Sequence, residues 1–91
     1  MATQVRVPPP LRALTHGQRI VKGDGATLRE LVADLDQQYP GFKDKLCTQD
    51  GALRKFLSIY INGERLDSSR IDSINVNADD DVAVIFTLAG G

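Results

Sequence analysis

One stretch of the chain carries a clear helical period, and it dictates what the rest must supply. In "KGDGATLRELVADLDQQYPG", Leu28, Leu31, Val32 and Leu35 recur at helical spacing on one face, while Arg29, Glu30, Asp34 and Asp36 point away. Thr27 followed by Glu30 has the capping-box spacing, in which each side chain satisfies a backbone N–H of the first turn. The glycines before it mark the start, and Pro40-Gly41 stops the run. An amphipathic helix of about three turns cannot bury its own apolar stripe, so the flanking segments must provide a surface for it.

Those segments read as strands. "TQVRV" alternates Val5 and Val7 with polar neighbours until Pro8-Pro9-Pro10 terminates it, and "LRALTHGQ" is expected as a loop or short turn into a second strand, "RIVK". The two should pair as a hairpin with a long connection. After the helix, "FKDKLC" is expected as a short turn with Phe42 and Leu46 on one side. "FLSIYING" reads as a strand closed by Asn62-Gly63, whose residues both tolerate positive φ. Its Leu57, Ile59 and Ile61 fall on a core-like face, and Phe56, Ser58 and Tyr60 on an outward one. "ERL" is a short return strand. "DSSRIDSINVNADDD" is an irregular connection with Ile71, Ile74 and Val76 as packing points. The nearly continuous apolar run of "VAVIFTL" predicts a central strand with at least partial cover on both faces. The order β-β-α-β-β-β is that of a small α+β roll, a mixed sheet of four to five strands covered by one main helix.

Composition narrows the function. Eleven Lys and Arg are scattered among twelve Asp and Glu for a net charge of −1, so no basic stripe offers itself to nucleic acid. No window approaches the apolar length of a spanning helix or a signal peptide, and the expectation is a cytoplasmic protein forming a single domain over residues 1–91. The single cysteine, Cys47, excludes an internal disulfide and a cysteine-rich metal cluster. It lies next to Leu46 in an apolar turn, where packing is the expected role and no basic cluster is placed to lower its pKa. His16 stands alone, without a second ligand at metal-binding spacing. Gly23-Asp24-Gly25 lacks the Lys and Ser/Thr of a phosphate loop and reads as turn chemistry before the helix. Asp79-Asp80-Asp81 reads as a solvated acidic loop rather than a cation site.

The chain closes with "VAVIFTLAGG". Glycine lacks Cβ, so Gly90-Gly91 is thin enough to thread a channel that any side chain would block, and Ala89, Gly90 and Gly91 form a candidate flexible tail. A carboxylate on such a tether can be delivered to a distant active site, where adenylation supplies the leaving group that a carboxylate lacks. Gly91 would then react as a substrate, and the domain itself has no catalytic site. Tyr60 and Ile85, with Phe86 and Leu88 leading to the tail, are the candidate surface by which a partner grips the domain. The competing expectation for Tyr60 is a ring packed across neighbouring strands.

The element order and the terminal "AGG" resemble the ubiquitin-like sulfur carriers of the MoaD/ThiS family, which have the β-grasp fold. "LRALTHGQ", "GATLRELVADLDQQYPG", "LRKFLSIYING" and "LAGG" are most similar to the CysO-type branch, which serves cysteine biosynthesis. The resemblance implies that a ThiF/MoeB-like enzyme adenylates the Gly91 carboxylate with ATP and that a sulfur donor converts it to a thiocarboxylate. It further implies an acceptor such as a pyridoxal-phosphate-dependent cysteine synthase or a thiosugar synthase, and a JAMM-type metalloprotease that frees the product. No cofactor or metal is expected on the carrier itself. "FTLAGG", "ADDDV" and "NGERLD" depart from the branch's pattern and leave the acceptor open. Two other functions fit the same tail: the small subunit of molybdopterin synthase, and a protein modifier conjugated through Gly91.

Overall fold

The computed structural model describes residues 2–50, 52–54, 57–66 and 74–86. In chain order these form strand β1 (Thr3–Arg6), a 3-10 turn (Pro9–Leu11), β2 (Ile20–Gly23), helix α1 (Leu28–Gln38), a short helix α2 (Phe42–Leu46), β3 (Leu57–Ile61), β4 (Glu64–Arg65) and β5 (Asp81–Phe86). The strands make one five-stranded sheet in the order β2-β1-β5-β3-β4. β1 and β5 run parallel, and the remaining pairs are antiparallel. The expected mixed sheet, hairpin and single main helix are all present. The "FKDKLC" segment winds into α2 rather than a bare turn, and "LRALTHGQ" begins within the 3-10 turn.

One face of the sheet carries the core. Val5, Val21, Leu57, Ile59, Val82 and Val84 are all buried, and α1 supplies Leu28, Leu31, Val32 and Leu35 to the same cluster. Phe42 and Leu46 complete it from α2, Phe42 being fully buried. Each such side chain contributes about 1.5–3 kcal/mol by leaving water, so the helical stripe and the strand alternation together account for most of the folding drive. Val76 is buried and Ile74 packs against the cluster, as expected of that connection, whereas Ile71 and Phe56 lie outside the described residues.

The start of α1 is pinned by more than its cap. Thr27 Oγ1 accepts the Glu30 N–H at 3.2 Å, and Glu30 Oε1 accepts the N–H of Ala26 at 2.9 Å, one residue earlier than a standard capping box requires. The Leu28 N–H donates to the Ile74 carbonyl at 2.8 Å, and the Val76 N–H to that of Ala26 at 3.0 Å. The connection before β5 therefore satisfies one first-turn donor, the Leu28 N–H, that a helix cannot satisfy internally. The chain comes so close to the helix here that a Cβ on Gly25 would collide with backbone atoms of Leu31 and Glu30. That steric demand, and not a phosphate, explains why glycine stands in "GDG".

At the outer edge of the sheet, α1 also blunts β2. Gln38 Nε2 donates to the Lys22 carbonyl at 3.0 Å, and Asp34 Oδ2 accepts both from Gln38 Nε2 at 2.8 Å and from the Asp24 N–H at 2.9 Å. Part of the edge that would otherwise template strand addition is thereby occupied. Gly25→Ala is expected to lower the unfolding free energy by about 2–3 kcal/mol, measured by urea titration, because backbone rather than a flexible side-chain end must move.

Candidate functional site

The second face of the sheet is open. Along β5 the alternation places Val82 and Val84 in the core and Asp81, Ala83 and Ile85 on the outer face, where Ile85 is 40% exposed. The run looks continuous in sequence because Ala83 and Ile85 are apolar although they face outward, so the cover expected on both faces is complete on only one. Tyr60 lies opposite Ala83, and Ser58 lies opposite Ile85. Together Tyr60, Gly63, Asp81, Ala83 and Ile85 line a shallow depression of about 380 Å³. The structure thus brings Tyr60 and Ile85 onto one surface. Tyr60 is half-buried, consistent with a ring lying across its neighbours while still presenting an edge.

Two details differ from the strand alternation read in the sequence. Ser58 shares the outward face but is buried. Phe86 pairs with Leu57 and belongs by alternation to the helix-covered face, yet it is 38% exposed because it sits at the end of the strand. Leu88, Ala89, Gly90 and Gly91 lie outside the described residues.

The turn flanking the depression is built by Asn62. Both hairpin residues take positive φ, 54° at Asn62 and 87° at Gly63, as the Asn-Gly pair predicts. The Asn62 side chain then ties this hairpin to the connection before β5: Nδ2 donates to Asp80 Oδ1 at 2.9 Å, and Oδ1 accepts the Asp81 N–H at 2.9 Å. Asp80 also accepts the Asn77 N–H at 2.8 Å. That backbone donor first, and Asn62 second, hold the Asp80 carboxyl below its ordinary pKa. Asp81 receives Arg6 Nε at 3.1 Å and 3.2 Å on its two oxygens. Two of the three acidic residues are therefore engaged in shaping the site's rim. Among the described residues, no group of His, Cys, Asp and Glu is arranged to hold a metal ion.

His16 is exposed at positive φ, with its ring 5.9 Å from that of Tyr39. Cys47 is buried in the core, where desolvation raises its pKa. Lys43 and Arg54 are near enough to oppose that rise, so a basic neighbourhood absent from the sequence reading does exist, but burial outweighs it. What the sequence did not reveal is a groove at the end of the sheet, between the triple proline and the end of β5. The signal available was three consecutive prolines directly after a strand, flanked by Arg6 and Arg12, but only the parallel pairing of β1 with β5 brings them beside Ile85.

Comparison with known proteins turns this geometry into a family assignment. A model of the ThiS family matches residues 5–91. The chain belongs to the ThiS family. It is 32% identical to the sulfur carrier protein CysO of Mycobacterium tuberculosis over 93 residues, covering the whole of both chains. The crystal structure of that organism's CysO superimposes with a TM-score of 0.86 at 30% identity, over 94% of this chain and 99% of the other. CysO from Amycolatopsis orientalis, crystallised in complex with BexX, gives 0.84 at 28% identity over 99% and 100%. The ubiquitin-like β-grasp architecture expected from the resemblance is the one observed. No described helix is long and apolar enough to cross a membrane.

The neutral form of Cys47 is the one the core accommodates. With its folded pKa raised, its contribution to stability is complete below the ordinary thiol pKa and is lost as pH rises through the folded value. Between pH ~8 and pH ~10 the urea midpoint is expected to fall less steeply in Cys47→Ala than in the parent chain, whatever the absolute loss from the cavity.

Proposed function

We propose that this ThiS-family chain is a sulfur carrier of the CysO type, acting as a protein substrate for partner enzymes through the carboxylate of Gly91. The observation that carries the reading is the position of β5. It is the central strand, its outer residues Ala83 and Ile85 form an apolar surface with Tyr60, and it is the last described element before the glycines that close the sequence. A partner gripping the open face would hold the domain while the tail enters its active site.

The chemistry required of the tail is acyl activation. The Gly91 carboxylate oxygen attacks the α-phosphorus of ATP on a ThiF/MoeB-like enzyme, and pyrophosphate leaves. A donor at the oxidation level of sulfide then attacks the acyl carbon, AMP departs, and a thiocarboxylate results. In the acceptor enzyme the thiocarboxylate sulfur forms a bond to the electrophilic substrate, and hydrolysis of the acyl linkage that joins product to carrier returns the carboxylate. ATP belongs to the activating partner, and the carrier contributes the tail, its placement and the docking surface. The full-length likeness to CysO supports cysteine synthesis as the receiving pathway, with a pyridoxal-phosphate-dependent synthase as acceptor and a JAMM-type metalloprotease as the releasing enzyme. That a CysO chain of the same architecture crystallises with BexX supports docking by a separate protein.

The test is an intact-mass measurement after incubation with ATP, magnesium, sulfide and a ThiF/MoeB-like enzyme from the same genome. Replacement of one oxygen by one sulfur is expected in the full chain and in no chain lacking Gly91. Tyr60→Ala combined with Ile85→Ser should slow that conversion by about tenfold or more while leaving the circular dichroism unchanged. An unchanged mass with each such enzyme in turn would contradict the carrier reading.

A further inference from the structure

The groove at the end of the sheet has a chemistry of its own. Its volume is about 600 Å³, and it runs between Pro8, Pro9 and Pro10 on one side and Ile20, Ile85 and Phe86 on the other. Among the described residues, the exposed large hydrophobic side chains are Ile20 at 41%, Ile85 at 40% and Phe86 at 38%, and all three border this one groove. Isolated apolar residues on a surface are ordinary, but their gathering around a single concavity marks a contact site.

Among the described residues the charged part of the lining is of one sign: Arg6, Arg12 and Arg19 border the groove, and no Asp or Glu does. Of the three guanidinium groups, that of Arg6 is ion-paired with Asp81, so Arg12 and Arg19 carry the groove's local field, opposite in sign to the net charge of −1 on the molecule as a whole. Two of them are braced from behind. Arg12 Nε donates to the Val7 carbonyl at 3.0 Å, and Arg6 Nε is held by Asp81. The Arg19 side chain is exposed and makes no hydrogen bond or ion pair among the described residues. The three prolines have no N–H to offer, so a peptide lying along that wall could not add as a β-strand there. Recognition must come from apolar contact on the groove's floor and from carboxylates on its arginines.

We propose that this groove seats an acidic segment with an apolar anchor, belonging to the enzyme that handles the tail. Ile85 lies in both linings, so the groove continues the open-face depression and gives the partner a second hold. The identity of the partner rests on the sulfur-carrier reading, whereas the chemistry of the groove does not. Guanidinium–carboxylate pairs at such a rim act chiefly on encounter and orientation.

Two measurements decide it. The isotope-labelled full chain is titrated, at low salt, with a blocked peptide of one phenylalanine flanked on each side by glutamates, and with the same peptide carrying glutamines. Saturable amide shifts at Ile20, Ile85 and their neighbours are expected with the glutamate peptide alone, weakened about tenfold or more in Arg19→Glu. No saturable shift, shifts elsewhere on the domain, or equal shifts with glutamines would overturn the proposal. With the activating enzyme, Arg19→Glu should raise KM by about tenfold at unchanged kcat and flatten its dependence on salt. An unaltered KM alongside normal thiocarboxylation of the parent chain would refute the groove and leave the carrier reading standing. If the parent chain were not thiocarboxylated at all, the carrier reading would fail, and the peptide titration would still judge the groove.

Discussion

The packing of α1's leucine stripe onto the inner faces of β1, β5 and β3 is the interaction on which the rest of the structure depends. It fixes β5 as the middle strand, parallel to β1 on one side and antiparallel to β3 on the other. Because side chains alternate along a strand, fixing Val82 and Val84 inward also fixes Ala83 and Ile85 outward. A slip of one residue in register would bury the contact surface and expose the core. The same packing therefore sets stability and the presentation of the site, and the strand that leads to the tail is among the best anchored in the sheet.

Around that strand the polar residues do structural work in support of the site. Asn62 binds the β3–β4 hairpin to the connection before β5 through its amide, and Asp80 and Asp81 are engaged in hydrogen bonds and an ion pair. The helix blunts the outer edge of β2 through Gln38, and the prolines deny strand addition where the groove lies. Both devices oppose strand addition at the places they cover and leave the open face and the groove uncovered. Among the described residues, the large apolar side chains that remain exposed are gathered around the groove at the end of β5.

Much of this was legible in the sequence because it follows from local periodicity. The spacing of Leu28, Leu31, Val32 and Leu35, the Thr27 cap and the Asn62-Gly63 turn each specify their structure through neighbouring residues and appear as read, while Glu30 reaches back one residue further, to Ala26. Tyr60 and Ile85 could be placed on one face because alternation from a central strand requires it. Phe86 was harder, since its exposure depends on where the helix stops covering the sheet, a matter of tertiary geometry. Ser58 stands on the outward face as the alternation placed it, but its burial there, to 7% exposure, is not something the strand period specifies. The arginine groove was not legible because Arg6, Arg12 and Arg19 are gathered by the turn after β1 and the antiparallel pairing of β1 with β2, and the end of β5 joins them only through the parallel pairing of β1 and β5.

The central claim is that the open face of β3 and β5, and not the helical face, is where a partner holds the domain. Amide hydrogen exchange of the full chain with and without its activating enzyme tests this most directly. The account predicts added protection in the segments containing Tyr60 and Asp81 to Phe86, with exchange across Leu28 to Gln38 unchanged. Protection concentrated on α1, with the β3 and β5 segments exchanging as in the free protein, would contradict it.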